Sequence, residues 1–388
     1  MSSDTLGRPV RAAAAPLQAN LFGKVAVPVT DSDPHYWGMP AFQMGDATPS
    51  HSVTINFMSA EDLRAFAALT GIPLTTRSDS AWYPPQAPLK GEYRYDGPPS
   101  PTRYPVCIPS KGRADCQTTG HLLNRMGVPH TFFVEQTEAE WYREHVGADK
   151  VVSMPFNDLG QGSIPARNFI WEWCKDRGAA WHWIMDDNIS LFARNTNNRR
   201  LSVYGGGFFA AIEAFAERYD NLAIVGPHGK GFVSDRSPRP PLLWNSRVYS
   251  CSLINTSLPY RWRGRYNEDT DLCLRALTDG WATLLFRSLL FQKGGTVGSA
   301  TPPMKGGNTD NVYTDGDHRR AFAESLREQH PDVVKVVWKF NRWHHEVDYR
   351  PFARNDPKLK AGIVPHKRTN DYGMVLRNVK AGDGQEEP

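Results

Sequence analysis

The residues Trp181-His-Trp-Ile-Met-Asp-Asp-Asn188 join an apolar run directly to two carboxylates and an amide. Trp181, Trp183 and Met185 alternate with His182, Ile184 and Asp186, which is the period of a buried strand. Its C-terminal edge delivers oxygen groups where open α/β sheets bind ligands. Such oxygens suit hard cations, Mg2+ or Mn2+, and those cations suit diphosphates. The stretch is therefore expected to serve a nucleotide diphosphate, although Asp and Asn at a strand end also act as ordinary turn caps.

Two further groups carry chemical potential. Asn267-Glu-Asp-Thr-Asp271 opens a helix, and a positioned carboxylate there can take the proton of an attacking hydroxyl. Acidic residues at a helix start are also favoured by the macrodipole alone, and Asp271 fits that simpler role. Tyr260-Arg-Trp-Arg-Gly-Arg-Tyr266 interleaves Arg261, Arg263 and Arg265 with three aromatics. Cations with rings can grip phosphates and stack on an extruded base, so Arg261, Trp262, Arg263 and Arg265 are candidate DNA contacts. A solvated edge whose arginines meet a donor diphosphate is an equal alternative.

The elements that must position these residues alternate between strand and helix. Pro105–Pro109 predicts a strand, Ser110–Arg113 a loop, Thr118–Arg125 a helix and Thr131–Val134 a strand. A helix over Glu138–His145 and a strand over Lys150–Ser153 follow, and Ile164-Pro-Ala-Arg-Asn168 opens a helix that leads into the Asp186 strand. Downstream come a helix at Gly207–Tyr219, a strand at Leu222–Val225, a helix through Leu277, a helix near Arg319–Gln329 and a strand at Val333–Trp338. Such alternation predicts a mostly parallel α/β sheet flanked by helices. Lys293, Lys305 and Gly306-Gly307-Asn308 fall in a Gly- and Pro-rich loop that can close over a site.

Before this body, Ser52–Phe57 alternates like a strand, Ser59 can cap a helix through Leu69, and Gly71 can end it. With a second strand near Ile72–Ser80, this predicts a small N-terminal β-α-β module. The expected organisation is a leader over 1–33, the module over 34–85, a Pro-rich linker over 86–103, the main domain over 104–352 and a polar tail over 353–388.

Composition sets the limits. The 388 residues exceed one average domain, and 40% are hydrophobic. A net charge of +4 permits a polyanionic partner without demanding one. Five scattered cysteines include no Cys-x-x-Cys pair, so neither a disulfide framework nor a zinc site is expected. No run is long enough to span a bilayer, and a reducing cytoplasm is the simplest setting.

Taken together, Ile108-Pro109 followed by Arg113, Ala166-Arg167-Asn168 at a helix start, Asp186-Asp187-Asn188 after an apolar strand and Glu268-Asp269 opening a helix resemble a GT-A-fold glycosyltransferase. The span from about Tyr104 to Phe352 is similar to the TET-associated glycosyltransferase family of phages. That resemblance implies transfer of a sugar from a nucleotide-sugar, a UDP-sugar in the first instance, to 5-hydroxymethylcytosine in DNA made by a TET-like oxygenase. It places Asp186 and Asn188 in the Asp-x-Asp metal position with Asp187 between them, for Mn2+ or Mg2+. Asn188 stands where many relatives have a second Asp, which keeps an oxygen but removes a charge. Ser110, Arg113, Arg167 and Asn168 become nucleotide-sugar contacts, Asp269 the base and Glu268 a binder of acceptor or sugar. His344 or His345 becomes a further metal ligand, and the sequence does not choose between them. If phage-encoded, such an enzyme works in the host cytoplasm. The contrasting expectation is a DNA-binding or scaffold protein that keeps the fold without turnover.

Overall fold

The computed structural model describes residues 27–28, 33–47, 49, 51–76, 78, 81, 83, 92–234, 236–264, 266–294 and 318–379. Its strands are β1 (Val27–Pro28), β2 (Gln43–Met44), β3 (Glu92–Asp96), β4 (Val106–Pro109), β5 (Thr131–Val134), β6 (Val151–Ser153), β7 (Trp181–Met185) and β8 (Ile189–Thr196). They continue with β9 (Arg199–Tyr204), β10 (Leu222–Gly229), β11 (Leu242–Trp244), β12 (Cys251–Asn255), β13 (Ala282–Lys293), β14 (Val334–Lys339), β15 (Arg342–Val347) and β16 (Val375–Val379). The helices are α1 (Ala60–Thr70), α2 (Thr118–Met126), α3 (Ala139–Val146), α4 (Ile164–Asp176), α5 (Gly207–Ala216), α6 (Glu268–Thr278) and α7 (Arg319–Gln329).

A 12-stranded mixed sheet forms the centre, in the order β16-β3-β9-β8-β13-β10-β12-β7-β4-β5-β6, with β11 paired to β13. The run β6-β5-β4-β7 is parallel throughout. β4 comes first in the chain, β5 and β6 step outward on one side, and β7 returns to the other side. That reversal creates a crevice at the C-terminal ends of β4 and β7, the place where such sheets receive ligands. Beyond β7 the pairing turns antiparallel through β12 and β10, so the expected mostly parallel sheet is parallel at the crevice and mixed elsewhere.

Every residue of β7 is buried, because both faces of the sheet are covered. Trp183 and Met185 point into a core built with Leu123 of α2, Tyr142 of α3 and Phe209 of α5. Ile184 points the other way, toward Ile170 and Trp171 of α4 and Leu272 of α6. Burying a large side chain contributes roughly 1.5–3 kcal/mol, so a strand sandwiched in this way is a stiff support for the acidic corner at its end. The indole of Trp183 donates to Glu213 of α5 at 2.8 Å, which gives its one polar atom a partner inside the core.

Several expectations hold locally and several are corrected. Ser59 caps α1 by accepting from the Asp62 amide at 3.1 Å, and Gly71 ends it with φ +67°. Ser52–Phe57, expected as a strand, is irregular, and no strand occurs among the described residues of 72–80. The reason is burial: α1 buries none of its residues, so flanking strands would have no core to face. Tyr36, Met39, Phe42 and Met44 instead pack into the main core. Asn198, in the β8–β9 turn, fastens that segment by donating to the Gly45 carbonyl and accepting from the Gly45 amide, both at 2.9 Å. The stretch expected as a linker contains β3, and the stretch expected as a polar tail contains β16, which pairs with β3. Residues 1–26 of the expected leader, and Lys305 through Asn308 of the expected lid, lie outside the described residues.

Two outcomes test this packing. A methyl group at Gly226 of β10 would fall against the Cys251 carbonyl oxygen of β12, far inside van der Waals contact. Gly226→Ala is expected to cost about 3 kcal/mol by forcing β10 away from β12, the strand next to β7, read as a lowered midpoint in urea. His182 of β7 is fully buried, and burial, aided by Arg261, pushes its pKa down to about 3. The unfolded chain therefore binds a proton below about pH 6.5 that the folded chain refuses, so stability is complete above that pH and falls as acid is added. His182 alone is expected to remove about 3 kcal/mol by pH 4, and a His182→Gln protein should show a shallower loss of melting temperature.

Candidate active site

The crevice between β4 and β7 brings most of the expected site residues together. Asp187 is buried and accepts from Ser110 Oγ at 2.7 Å, and it pairs with the Arg113 guanidinium. Burial raises its pKa, against the opposing pull of Arg113. Tyr142 of α3 supports the arrangement from below, with its hydroxyl 2.7 Å from Ser110 Oγ and accepting from the Arg113 amide at 3.1 Å. The loop after β4 and the loop after β7 are thus tied by a buried ion pair.

Asp186 turns to the opposite side. Lys293, at the end of β13, donates to its Oδ2 at 2.7 Å, and Arg167 of α4 donates to its Oδ1 at 3.1 Å. Burial alone would raise its pKa, but Lys293 and Arg167 outweigh that and hold it at about 2. Asp186 is therefore ionised under all ordinary conditions. The backbone at this corner is fixed as well: Thr119 of α2 donates its hydroxyl to the Asp186 carbonyl at 2.7 Å and accepts from the Ile189 amide at 2.8 Å.

Asn188 donates to the Gly294 carbonyl at 3.1 Å, while its buried Oδ1 has no hydrogen-bond partner among the described residues. A buried acceptor left unmatched costs on the order of 1–3 kcal/mol, which a cation or donor placed at this oxygen would recover. Among the described residues, no three His, Cys, Asp or Glu side chains gather as a metal cage. The donor set that does fit a hard cation is Asp186 with the Asn188 amide oxygen, the remaining positions falling to phosphate or water as Mg2+ sites commonly allow.

Arg167 also reaches Glu268, the first residue of α6, at 3.7 Å. It is held for this by Ser163, which accepts from its Nε at 3.1 Å and donates to Glu268 at 3.3 Å. Burial raises the Glu268 pKa, with Arg167 opposing. Asp269 lies next to it, within electrostatic reach of Arg247, Lys293 and His345. Its Oδ1 accepts from the Thr270 amide at 2.7 Å, whereas its Oδ2 has no hydrogen bond among the described residues. A proton acceptor needs such an open lone pair; on Glu268, Ser163 and Arg167 both meet Oε1.

The hairpin of β14 and β15 separates the two histidines. Consecutive residues of a strand face opposite sides, and Val336 pairs with His345 while Val337 pairs with His344. His345 lies on the side of Arg247 and Asp269, and burial with Arg247 pushes its pKa down to about 4. His344 faces away and accepts from Arg342 at 3.0 Å.

The remaining candidates are committed elsewhere. Asn168 spends both ends of its amide on the Trp262 backbone, at 2.9 and 2.8 Å. Trp262 is only 4% exposed and lies under the Arg167 guanidinium, 4.7 Å from its ring centre. Arg261 pairs with Glu172 on α4, and Arg263 pairs with Asp271 at 2.9 Å. Trp262 thus gives Arg167 its floor and presents no ring to a base, while Arg265 falls outside the described residues. Sequence reasoning missed Arg247, Ser163, Thr119 and Tyr142; none stands in a recognisable motif, and only the fold brings each to the crevice.

The sheet reversal gathers an ionised carboxylate, an unmatched amide oxygen and a second pair of carboxylates at one end of an α/β sheet, an arrangement that suits group transfer. The chain belongs to the TET-associated glycosyltransferase family, whose model matches residues 104–301, just over half of the chain. It is accordingly a glycosyltransferase, with a sugar donor and an acceptor. No match was found among curated proteins. The matched residues include every crevice group from Ser110 to Lys293 and stop before α7 and the β14–β15 hairpin.

Replacing Lys293 with Met removes the nearer of the two cations on Asp186. Its carboxyl pKa is expected to rise from about 2 toward the ordinary range, measured by 13C NMR titration. An unchanged value would assign the effect to Arg167 alone.

Proposed function

We propose that this chain transfers a sugar from a nucleotide-sugar, a UDP-sugar in the first instance, to 5-hydroxymethylcytosine in phage DNA. In this reading it acts in the host cytoplasm, downstream of a TET-like oxygenase that supplies the acceptor hydroxyl. Family membership supports the sugar transfer. The observation that supports a single site is Arg167, which touches both Asp186 and Glu268 and so links the end of β7 to the start of α6.

The acceptor hydroxyl oxygen bonds to the anomeric carbon as the bond from that carbon to the diphosphate oxygen breaks. The hydroxyl proton passes to Asp269 Oδ2, and the nucleoside diphosphate leaves with the electron pair. Arg113, Arg167, Arg247 and Lys293 are already faced by Asp186, Asp187, Glu268 and Asp269, so little net positive charge remains for an incoming diphosphate. A divalent cation held by Asp186 and Asn188 would supply that charge to the leaving group. Glu268, fixed by Arg167 and Ser163, is placed to orient the sugar or acceptor. No helix among the described residues is long and apolar enough to cross a membrane, and the proposal calls for no lipid-linked donor or acceptor.

The test is incubation of the protein with hydroxymethylated duplex DNA, a panel of UDP-sugars and Mn2+, followed by mass spectrometry of the nucleosides. A gain of one hexose or similar unit on hydroxymethylcytosine is expected, abolished by chelation. Asp269→Asn should lower the rate by about 100-fold or more, the usual contribution of a general base. Absence of any modified nucleoside across the panel would overturn the reading.

A further inference from the structure

The β14–β15 hairpin carries side chains that the crevice does not use. Trp338 pairs with Trp343 on the same face as Val336 and His345, two residues further out along the strands. Because His345 is within electrostatic reach of Asp269, that face runs outward from the neighbourhood of that carboxylate, and the tryptophan pair stands roughly 7 Å beyond His345 along the strands. The two indoles meet edge to face at 5.3 Å, and Trp338 remains 54% exposed.

At the tip, Phe340 and Asn341 form the two-residue turn with φ +51° and +56°. Such turns favour Asn or Gly, and a bulky ring in the left-handed region is disfavoured. Phe340 is also 88% exposed, with only the edge of His344 nearby at 6.1 Å. Two local penalties, neither offset by packing among the described residues, indicate a ring placed for something outside the chain.

The surroundings are basic. Arg320 of α7 lies over the Trp343 ring at 4.9 Å, and Lys339 and Arg342 are both close enough to His344 to disfavour its proton. Among the described residues, Glu324 pairs with Arg320 and Glu346 with Lys339. An excess of cations around exposed rings fits a nucleic acid, which offers a charged backbone and flat bases together. An apolar wedge at a tip is a known means of opening a base step.

We propose that the β14–β15 hairpin is the arm that grips the nucleic-acid acceptor: Phe340 enters the base stack beside the target nucleotide, Trp338 carries a neighbouring base, and the cations around the tip hold the phosphates. The proposal rests on the reading of DNA as acceptor. It assigns acceptor contact to α7 and the hairpin, outside the family-matched residues, rather than to Arg261–Arg265.

The experiment measures binding of the full chain to a fluorescent hydroxymethylated duplex by anisotropy, for wild type, Phe340→Ala, Trp338→Ala and Phe340→Tyr. Because both rings are exposed, thermal melting should match wild type and exclude misfolding. Loss of one stacking ring is expected to weaken binding about tenfold, with Phe340→Tyr restoring it to within about twofold. If wild type binds and both alanine variants bind equally well, the arm is wrong while DNA remains the acceptor. If wild type itself shows no DNA binding, the arm and the DNA reading fall together, and family membership alone stands.

Discussion

Arg167 is the constraint on which the site depends. Its guanidinium touches Asp186 at the end of β7 and Glu268 at the start of α6, and it rests on the Trp262 ring. Without it Asp186 would keep Lys293, but Glu268 would be buried with no ion pair among the described residues, a cost of several kcal/mol for an uncompensated carboxylate. The surrounding structure is arranged to keep that one side chain in place: Ser163 accepts from its Nε, and Asn168, one residue along the same helix, pins the Trp262 backbone beneath it. The Arg and aromatic run therefore works as a platform rather than as an outer surface.

A second ion pair, Arg113 with Asp187, does the same for the other wall. The chain leaves β7 after Met185 and turns at Asp187 and Asn188 into β8, so that Asp187 meets Ser110 and Arg113 while Asp186 meets Lys293 and Arg167. Each carboxylate is thus paired with a cation, and the amide oxygen of Asn188 is left as a buried acceptor without a partner among the described residues. An Asn in that position lowers the local negative charge. With four cations already balanced by four carboxylates, a second Asp there would have left the unliganded crevice net negative and harder to bury.

Much of this is legible in the sequence where a pattern is local. The apolar alternation of Trp181–Met185, the Pro165 helix start, the cap at Ser59 and the Arg319–Gln329 helix all follow from short-range rules. The β8–β9 hairpin is not anticipated, although Asn197-Asn198 supplies the left-handed turn that two-residue loops require. The long strand β13 also escapes sequence reasoning, because Leu284–Phe291 is buried on both faces and shows no alternation. Ser52–Phe57 shows the reverse failure: it alternates without any core to face. Lys293 reads as part of a loop, yet as the last residue of β13 it becomes the closest cation to Asp186.

The two histidines show how a fold decides what composition leaves open. His344 and His345 are chemically identical neighbours, and strand alternation alone sends one to Arg342 and the other toward Asp269. His345 stays neutral near pH 7 because burial and Arg247 lower its pKa, so it adds no positive charge to the already balanced set of the crevice. A neutral ring beside the Asp269 carboxyl group can order a hydroxyl without competing for its proton. The same strand carries Trp343 on that face, so in the proposed reading the hairpin that borders the base also faces the acceptor. Both roles would then hang on one short element whose register, with Trp338 opposite Trp343, cannot slip by a residue without exchanging His345 for His344.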